Sequence, residues 1–282
     1  MSFNIGSRTS PVLVTVASLS DVGQQRQQNQ DALLCQPLPP DGSPGQGALV
    51  VAVCDGMGGG EGGEVASALA TTALGRGLQA GPLPESEAAL GGHLVATVEG
   101  AHALVRATAR QERLRDMGTT ATVALLRGDR VLVGQVGDSR AYLLRGGELR
   151  QLTRDQSLAQ QMIEAGQLRP EDRSTFEYSN IILQALGTTS SALDVDLTAT
   201  SVRRGDRLLL CSDGLWGELD EAEIAAVLAG ASDPDEACRR LIDAANAAGG
   251  SDNITCVVCQ LDGDGLPPPS PGEPLPSYQK LL

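Results

Sequence analysis

The sequence contains few aromatic residues and histidines, and it has a deficit of positive charge. Aromatic residues make up 2% of the 282 residues, so the core must be filled mainly by alanine, valine, leucine and isoleucine. The two histidines, His93 and His102, are nine positions apart in a predicted helix and face opposite sides of it. A zinc hydrolase is therefore not favoured. The net charge of −14 argues against nucleic acid or an anionic membrane as partner, because electrostatic repulsion opposes both.

Long apolar runs are also missing. None approaches the roughly 20 residues that cross a bilayer, and the N-terminus lacks the basic-then-apolar pattern of a signal peptide. We therefore expect a cytoplasmic, monomeric protein with reduced cysteines. Cys256 and Cys259 have CxxC spacing, but no second pair or histidine cluster completes a zinc site, so they are predicted to be buried in a strand.

Hydrophobic patterning predicts an α+β chain. Strands are predicted at residues 11–19, 31–38, 49–54, 197–202, 207–211 and 254–261, and helices at 64–78, 93–115 and 156–165. Asp220 with Glu223 and Asp233 with Glu236 predict two further helix starts. Residues 119–153 read as an antiparallel meander with short turns. Since regular βα alternation is lacking, antiparallel sheets with helices outside are favoured. The Pro-rich residues 263–282 predict a disordered or extended tail.

Five aspartates fall at the mouths of predicted strands: Asp31, Asp55, Asp138, Asp213 and Asp252. One such residue is commonly an Asx turn or a helix cap. Five on one rim would crowd like charges, which is costly unless cations neutralise them. A ligand set made only of oxygens selects hard ions such as Mg²⁺ or Mn²⁺. The pattern therefore predicts a metal centre.

A phosphate site is suggested by two local patterns. Arg26 stands five residues before Asp31, and its planar guanidinium suits bidentate phosphate binding, although a lone loop arginine is usually just solvated. The glycines at 58, 60 and 63 satisfy the GxGxxG dinucleotide fingerprint, with Glu85 about twenty residues on. That fingerprint needs a parallel strand directly after the helix, whereas here a second helix is predicted, so dinucleotide binding is disfavoured.

Nine short motifs occur in order along residues 14–261. They are DVG at 21–23, RQQNQD at 26–31, VCDGMGG at 53–59, GTTA at 118–121, VGDSRAY at 136–142, LTRDQS at 152–157, ALG at 185–187, CSDGLW at 211–216 and SDNIT at 251–255. Together they resemble the metal-dependent protein phosphatases of type 2C (the PPM family), bacterial branch. The resemblance implies a catalytic domain over residues 10–262, folded as a four-layer α-β-β-α sandwich of two antiparallel sheets flanked by helices.

The resemblance also implies residue roles. Asp55 bridges two Mg²⁺ or Mn²⁺ ions, and Asp213 and Asp252 complete the first ion's protein ligands. The Gly56 carbonyl joins the second ion, around which Asp31, with Gln30 nearby, holds metal-bound waters. Asp138 together with Asp213 resembles a third metal site. Arg26 grips the substrate phosphate, so that Arg26 and Asp55 are the catalytic candidates.

The activity implied is that of a serine/threonine protein phosphatase in which a hydroxide bridging the metals attacks phosphorus directly. Its partners are then phosphorylated proteins, such as a serine/threonine kinase or its targets. The alternative is a catalytically weak or dead phosphatase-like module that binds phosphoproteins.

The chain departs from the family pattern at several positions. Met57 and Gly60 stand where relatives often carry a histidine, so no general acid is identified, and the nearby Glu61 is not assigned to that role. Gln156 replaces a usual histidine, and Gln30 replaces an acid. Residues 176–180, in the flap beside the active site of relatives, lack the usual basic residues, which predicts a different substrate preference.

Overall fold

The computed structural model describes residues 1–7, 9–38, 47–58, 62–114, 116–188, 192–270 and 272–281. The strands are β1 (Ser2–Asn4), β2 (Leu13–Asp21), β3 (Asp31–Leu38), β4 (Ala48–Met57), β5 (Gly118–Thr119), β6 (Ala121–Arg127), β7 (Arg130–Val136), β8 (Arg140–Arg145), β9 (Glu148–Gln151), β10 (Asp196–Ser201), β11 (Arg207–Cys211) and β12 (Ile254–Asp262). The helices are α1 (Gly62–Gln79), α2 (Glu87–Gln111), α3 (Leu158–Glu164), α4 (Asp213–Trp216), α5 (Glu221–Gly230) and α6 (Pro234–Ala248), and a 3₁₀ turn covers Pro170–Thr175.

The strands form two sheets in which the paired strands run antiparallel. The first sheet has the order β1-β2-β12-β11-β8-β9, and the second has the order β10-β7-β6-β4-β3, with β5 paired to β4. All the pairings described between these strands are antiparallel. The predicted α+β class with antiparallel sheets is confirmed.

The alternation of side chains along β4 shows how the layers arise. Leu49, Val51 and Val53 are buried between the two sheets, whereas the intervening Val50, Ala52 and Cys54 face α1 and α2 on the outside of the second sheet. A strand covered on both faces has to be apolar throughout, as this one is. On the other side, α5 and α6 cover the first sheet. The four-layer α-β-β-α sandwich is therefore confirmed.

The predicted meander over residues 119–153 is wrong in one respect. β6 and β7 form one hairpin in the second sheet, but β8 and β9 form another in the first sheet. The chain crosses between the sheets at Gly137–Ser139. A glycine-aspartate pair after an apolar run predicts a hairpin turn from local pattern alone, and only the packing of the sheets distinguishes the crossing.

Helix ends follow their capping residues. Asp220 and Glu223 form the predicted capping box at α5, and the Asp233 side chain accepts from Glu236 N at α6. α2 begins well before the predicted residue 93 because Ser86 caps it, accepting from the N–H of Ala89. The short strands β1 and β5 were not predicted.

The six cysteines are all free, in agreement with the expectation of reduced thiols. Cys256 faces the helices on the outside of the first sheet, while Cys259 faces the space between the sheets. A spacing of three places two strand residues on opposite faces, so this CxxC pair does not form a metal site. Within the described ranges, no helix is both long and apolar enough to cross a membrane.

The described residues after β12 contain no helix or strand, yet several contact the sheets. Leu266 is buried in the core between the sheets, and the Glu273 carboxylate pairs with Arg203 at 2.8 Å. Nearer the end, Lys280 pairs with Asp194 at 2.7 Å, and the Leu281 N–H donates to the Leu197 carbonyl on β10 at 2.8 Å. The domain boundary at residue 262 stays a prediction.

Candidate metal centre

Four of the five predicted acids are placed by neighbouring strands at one edge of the sandwich. Asp31 and Asp55 are direct cross-strand partners on β3 and β4. Asp213 follows β11 and begins α4, and Asp252 precedes β12, the neighbour of β11. The sheets bring these pairs together, because the charges of Asp31 and Asp213 both act on the buried Asp55 carboxyl and raise its pKa.

The electrostatics of this edge disfavour ionised carboxylates. Burial raises the pKa of Asp31 to about 7, in spite of hydrogen bonds from Thr255 and Ser212 that lower it. Burial, together with the charges of Asp31 and Asp213, raises the pKa of Asp55 well above its usual range. Buried carboxyl groups this close together need either protons or a bound cation to remove the repulsion between their charges.

Asp138 joins the group from the crossing between the sheets. It is buried, and burial raises its pKa well above the usual range, with Asp213 and Asp155 adding to the effect. The indole N–H of Trp216 donates to the Asp138 backbone carbonyl at 3.0 Å and thereby fixes the crossing against α4. Asp138, the fifth predicted acid, therefore interacts electrostatically with Asp213 and Asp55.

Three of these acids carry a buried oxygen without a hydrogen-bond partner. Oδ1 of Asp31, Oδ1 of Asp138 and Oδ1 of Asp213 are all in this position within the described chain. A buried carboxylate oxygen left unpaired is costly, and it is the ligand that Mg²⁺ and Mn²⁺ prefer. The donor set therefore fits a hard divalent cation.

The described acidic side chains are not arranged around one point, as the ligands of a single ion would be. Across the part of the chain that the structure describes, no three side chains of Asp, Glu, His or Cys are gathered in that way. Asp252 instead pairs with Arg26, and Oδ2 of Asp31 accepts from the Ser212 hydroxyl at 2.7 Å. Sequence reasoning missed Ser212, although it lies beside Asp213 in a quoted motif.

The predicted phosphate-binding residue lies in an adjoining cleft. Nη2 of Arg26 is 2.7 Å from Oδ2 of Asp252, and the Arg26 side chain is 54% exposed. The cleft has a volume of about 370 Å³, and the residues that line it are Arg26, Gln27, Gln28, Gln30, Gly58 and Asn253. A guanidinium in an open cleft beside buried carboxylates places anion and cation recognition next to each other.

Asn253 holds the loop that carries Arg26. Its Nδ2 donates to the carbonyls of Val22 at 3.0 Å and Gln28 at 2.9 Å, and its Oδ1 accepts from the Gln30 N–H at 2.8 Å. This positioning role was not predicted. Its signal in the sequence was the asparagine directly after Asp252, in the quoted SDNIT motif.

β4 does not end at Asp55, and neighbouring residues hold its last residues in place. The strand continues to Met57, and the Asp55 N–H donates to Thr120 Oγ1 at 2.9 Å. A Cβ at Gly56 would lie 2.2 Å from the Gly63 carbonyl oxygen, so only glycine lets this strand approach α1 so closely. These contacts do not test the predicted role of the Gly56 carbonyl at the second ion. Gly60 and Glu61 lie outside the described residues.

Gln156, which stands where relatives carry a histidine, closes the turn before Asp138. Its side-chain Oε1 accepts from the Gly137 N–H at 2.9 Å, and its backbone N–H donates to the Gly137 carbonyl at 2.8 Å. Gly137 has φ of +98°, which a side chain would strain. Gln156 therefore positions the turn that carries Asp138.

The dinucleotide interpretation is excluded by the topology. α1 leads into α2 and not into a strand, and the described sheets are antiparallel where a dinucleotide fold needs parallel strands.

Comparison with known proteins agrees with the site. Residues 23–253 match the sequence profile of the family described as protein phosphatase 2C. The chain is 35% identical over 255 residues to the serine/threonine protein phosphatase PstP of Mycobacterium tuberculosis, covering 89% of this chain and 45% of that protein. It is 32% identical over 250 residues to the protein phosphatase PhpP of Streptococcus pneumoniae, covering 88% and 97%. The chain thus spans about half the length of PstP.

Solved structures share the fold. The crystal structure of M. tuberculosis PstP superposes with a TM-score of 0.78 at 34% identity, covering 88% of this chain and 99% of that one. A second structure, of the PstP catalytic domain in complex with two manganese ions, gives a TM-score of 0.76 at 34% identity, covering 89% and 99%. By motif order, by profile and by fold, this chain belongs to the protein phosphatase 2C family of metal-dependent protein phosphatases.

Proposed function

We propose that this chain hydrolyses phosphoserine and phosphothreonine in proteins, with Mg²⁺ or Mn²⁺ as cofactor. The observation that carries the proposal is the group of buried carboxylates with unpaired oxygens beside an exposed arginine. The manganese ions in the PstP structure support it, as does the naming of the similar proteins as serine/threonine phosphatases. Phosphorylated proteins, including a kinase or its targets, are the proposed partners.

The residues take the following parts. Asp55, with Asp213 and Asp252, would hold the first ion. Asp55 and the Gly56 carbonyl would hold the second, and Asp31 would hold the waters around it. When bound, the ions supply a nucleophilic water at neutral pH and neutralise the phosphoryl oxygens. Asp138 with Asp213 supports a proposed third ion, since one oxygen of each is buried and unpaired.

The chain's own groups orient the phosphate. Arg26 offers its guanidinium to the phosphoryl oxygens from the open side of the cleft, and Asp252 aligns it by accepting from Nη2. Asn253 holds the loop that carries Arg26, so that the Arg26 guanidinium keeps its position relative to the acidic side chains. The cleft remains open to water on the side of Gln27 and Gln28, which suits a protein substrate that presents a side chain from outside.

Hydrolysis of a phosphothreonine peptide at increasing Mn²⁺ tests the proposal. We expect metal-dependent release of phosphate, and we expect Asp55→Asn to lower kcat by at least about a thousandfold, the effect of removing an essential group. Asp243→Asn, an exposed aspartate on α6, is the matched control and should retain wild-type activity. Absence of turnover up to millimolar metal, with the peptide still bound, would instead support the phosphoprotein-binding module.

A further inference from the structure

A second pocket lies at the C-terminal end of α2 and is lined by three arginines. Its volume is about 540 Å³, and its lining includes Arg106, Arg110 and Arg113 together with Asp116, Met117 and Gly187. Arg106 and Arg110 are one helical turn apart on α2, so their side chains lie on one side of the helix. Arg113 comes two residues after the helix ends at Gln111, has φ of +58°, and lines the same pocket. Like charges stacked in this way repel one another unless an anion lies between them.

The three arginines differ from most others in the chain. Elsewhere, arginines pair with carboxylates, as Arg145 does with Asp206 at 2.7 Å. Within the described ranges, Arg106, Arg110 and Arg113 form no ion pair. A protein of net charge −14 offers many carboxylates, so this cluster of unpaired cations is a local exception. The dipole at a helix C-terminus favours a cation in the last turn, but it does not account for three around one pocket.

The arginine pocket lies close to the Arg26 cleft and to the end of β4. Met117 precedes Gly118, which pairs with Met57 two residues after Asp55. Gly58 lines the Arg26 cleft, and a Cβ on it would lie 2.9 Å from the carbonyl oxygen of Asp116, which lines the arginine pocket. The two recesses are therefore neighbours along one surface of the molecule.

The wall beside Arg106 is fixed by a neutral histidine. The Gly187 N–H donates to His102 Nδ1 at 3.1 Å, which requires that nitrogen to be unprotonated. Burial lowers the pKa of His102, and the Arg106 charge lowers it further. The histidine thus holds the pocket wall without adding a titrating charge.

We propose that this arginine pocket binds a second phosphate group of the same polypeptide substrate while the first lies at the metal centre. The proposal rests on the proposed phosphatase function and narrows its substrate class to polypeptides phosphorylated at two nearby positions. Guanidinium groups bind phosphate dianions bidentately. The three arginines outnumber Asp116, the one acid among the described residues that line the same recess, so the recess favours a dianion over a singly charged carboxylate. Favourable local charge here also offsets the repulsion that a −14 chain exerts on such a substrate.

The test compares threonine-phosphorylated peptides that differ at one further position. One series carries a second phosphothreonine at increasing separations from the first, a second carries glutamate there, and a third carries alanine. For the wild-type protein with Mn²⁺, we expect KM to fall about tenfold or more for one range of separations of the second phosphate, as charge-assisted hydrogen bonds imply.

Two variants locate the effect. The double variant Arg110→Gln with Arg113→Gln should lose this preference, so that the doubly phosphorylated peptide has the KM of the alanine peptide. Arg76→Gln on α1, an exposed arginine that likewise forms no ion pair in the described chain, should keep the preference. The folding of each variant is checked by its melting temperature.

Three results would contradict the proposal that this pocket binds a second phosphate group. These are equal KM values for one and two phosphates at every separation, a preference retained by the double variant, or an equal loss in Arg76→Gln. A glutamate peptide as good as the doubly phosphorylated one would overturn its selectivity for phosphate. If no peptide is hydrolysed, the proposed function fails. Fluorescence anisotropy with the same labelled peptides then still decides the pocket, since equal dissociation constants for one and two phosphates contradict it.

Discussion

Nη2 of Arg26 lies 2.7 Å from Oδ2 of Asp252, so the proposed phosphate clamp is positioned by a proposed metal ligand. The remaining oxygen of Asp252, Oδ1, accepts from the N–H of Asn253 at 2.8 Å. Asn253 in turn holds the loop on which Arg26 is carried. In the proposed site, one carboxylate therefore links phosphate binding to metal binding, which predicts that changes in one affect the other.

Arg26→Ala should chiefly raise KM for a phosphopeptide, because a clamp contacts the phosphate in the ground state as well as in the transition state. We expect a rise of about ten- to a hundredfold, the range for a lost charged hydrogen bond. The melting temperature should hardly change, since an ion pair at a side chain that is 54% exposed contributes little to stability. Steady-state kinetics check this, with Arg76→Ala as control. Unchanged KM and kcat would remove Arg26 from the site.

Ser212→Ala should weaken metal binding. The hydroxyl donates to Oδ2 of Asp31 at 2.7 Å and accepts from the Thr255 N–H at 3.0 Å, so it fixes the orientation of one proposed ligand. Loss of such an outer partner typically lowers metal affinity about 10- to 100-fold. Titration calorimetry with Mn²⁺ measures it, with the exposed Ser251→Ala as control. An unchanged dissociation constant in Ser212→Ala would show that Asp31 is oriented by other contacts.

The stability of the metal-free protein should fall as pH rises from about 4 to about 7. The pKa of Asp31 is raised to about 7, and burial also raises the pKa of Asp55 and Asp138. The folded state then binds more protons than the unfolded state over that range, so the free energy of unfolding decreases with pH. Mn²⁺, which replaces those protons, should stabilise more at pH 8 than at pH 5.

Thermal melts in a chelator and in Mn²⁺, at pH 5 and pH 8, measure both trends. Asp31→Asn removes one of the titrating groups and should flatten the pH dependence in the chelator. Asp243→Asn should leave it as in the wild type, because that side chain is exposed on α6. A melting temperature in the chelator that rises between pH 5 and pH 8 would contradict the prediction.

An arginine helps to hold the segment after α3 against the core. Arg173 Nη1 pairs with the buried carboxylate of Asp155 at 2.6 Å, and its guanidinium carbon lies 5.8 Å from the centre of the Trp216 ring. Arg173→Gln should therefore loosen residues 166–183 while Arg140 continues to neutralise Asp155 at 2.7 Å. Faster limited proteolysis of that segment is the expected result. Arg169→Gln, whose partner Asp172 is local and exposed, should not show it.

The sequence predicts features that depend on residues close together in the chain, and it does not predict those that depend on residues far apart. Short motifs identified Asp31, Asp55 and Asp213, and hydrophobic patterning predicted most of the strands, because both are properties of neighbouring residues. The layers were predicted from the lack of βα alternation and from the family resemblance. The contacts that position the site join distant parts of the chain, as Asn253 does with Val22, and no local pattern reveals them. The same limit explains the crossing at Gly137, which is locally indistinguishable from a hairpin turn.

Leu266 tests the boundary predicted at residue 262. The side chain is 1% exposed and lies in the core between the two sheets, although it belongs to the segment predicted to be a tail. Leu266→Ala should lower the free energy of unfolding by about 2–5 kcal/mol, the usual cost of emptying such a site. Leu281→Ala is the control, because that side chain is 46% exposed and its removal should cost less than about 0.5 kcal/mol. Urea denaturation measures both. Equal and small effects would place the boundary at residue 262, whereas the expected difference moves it beyond Leu266, since a residue that stabilises the core is part of the domain.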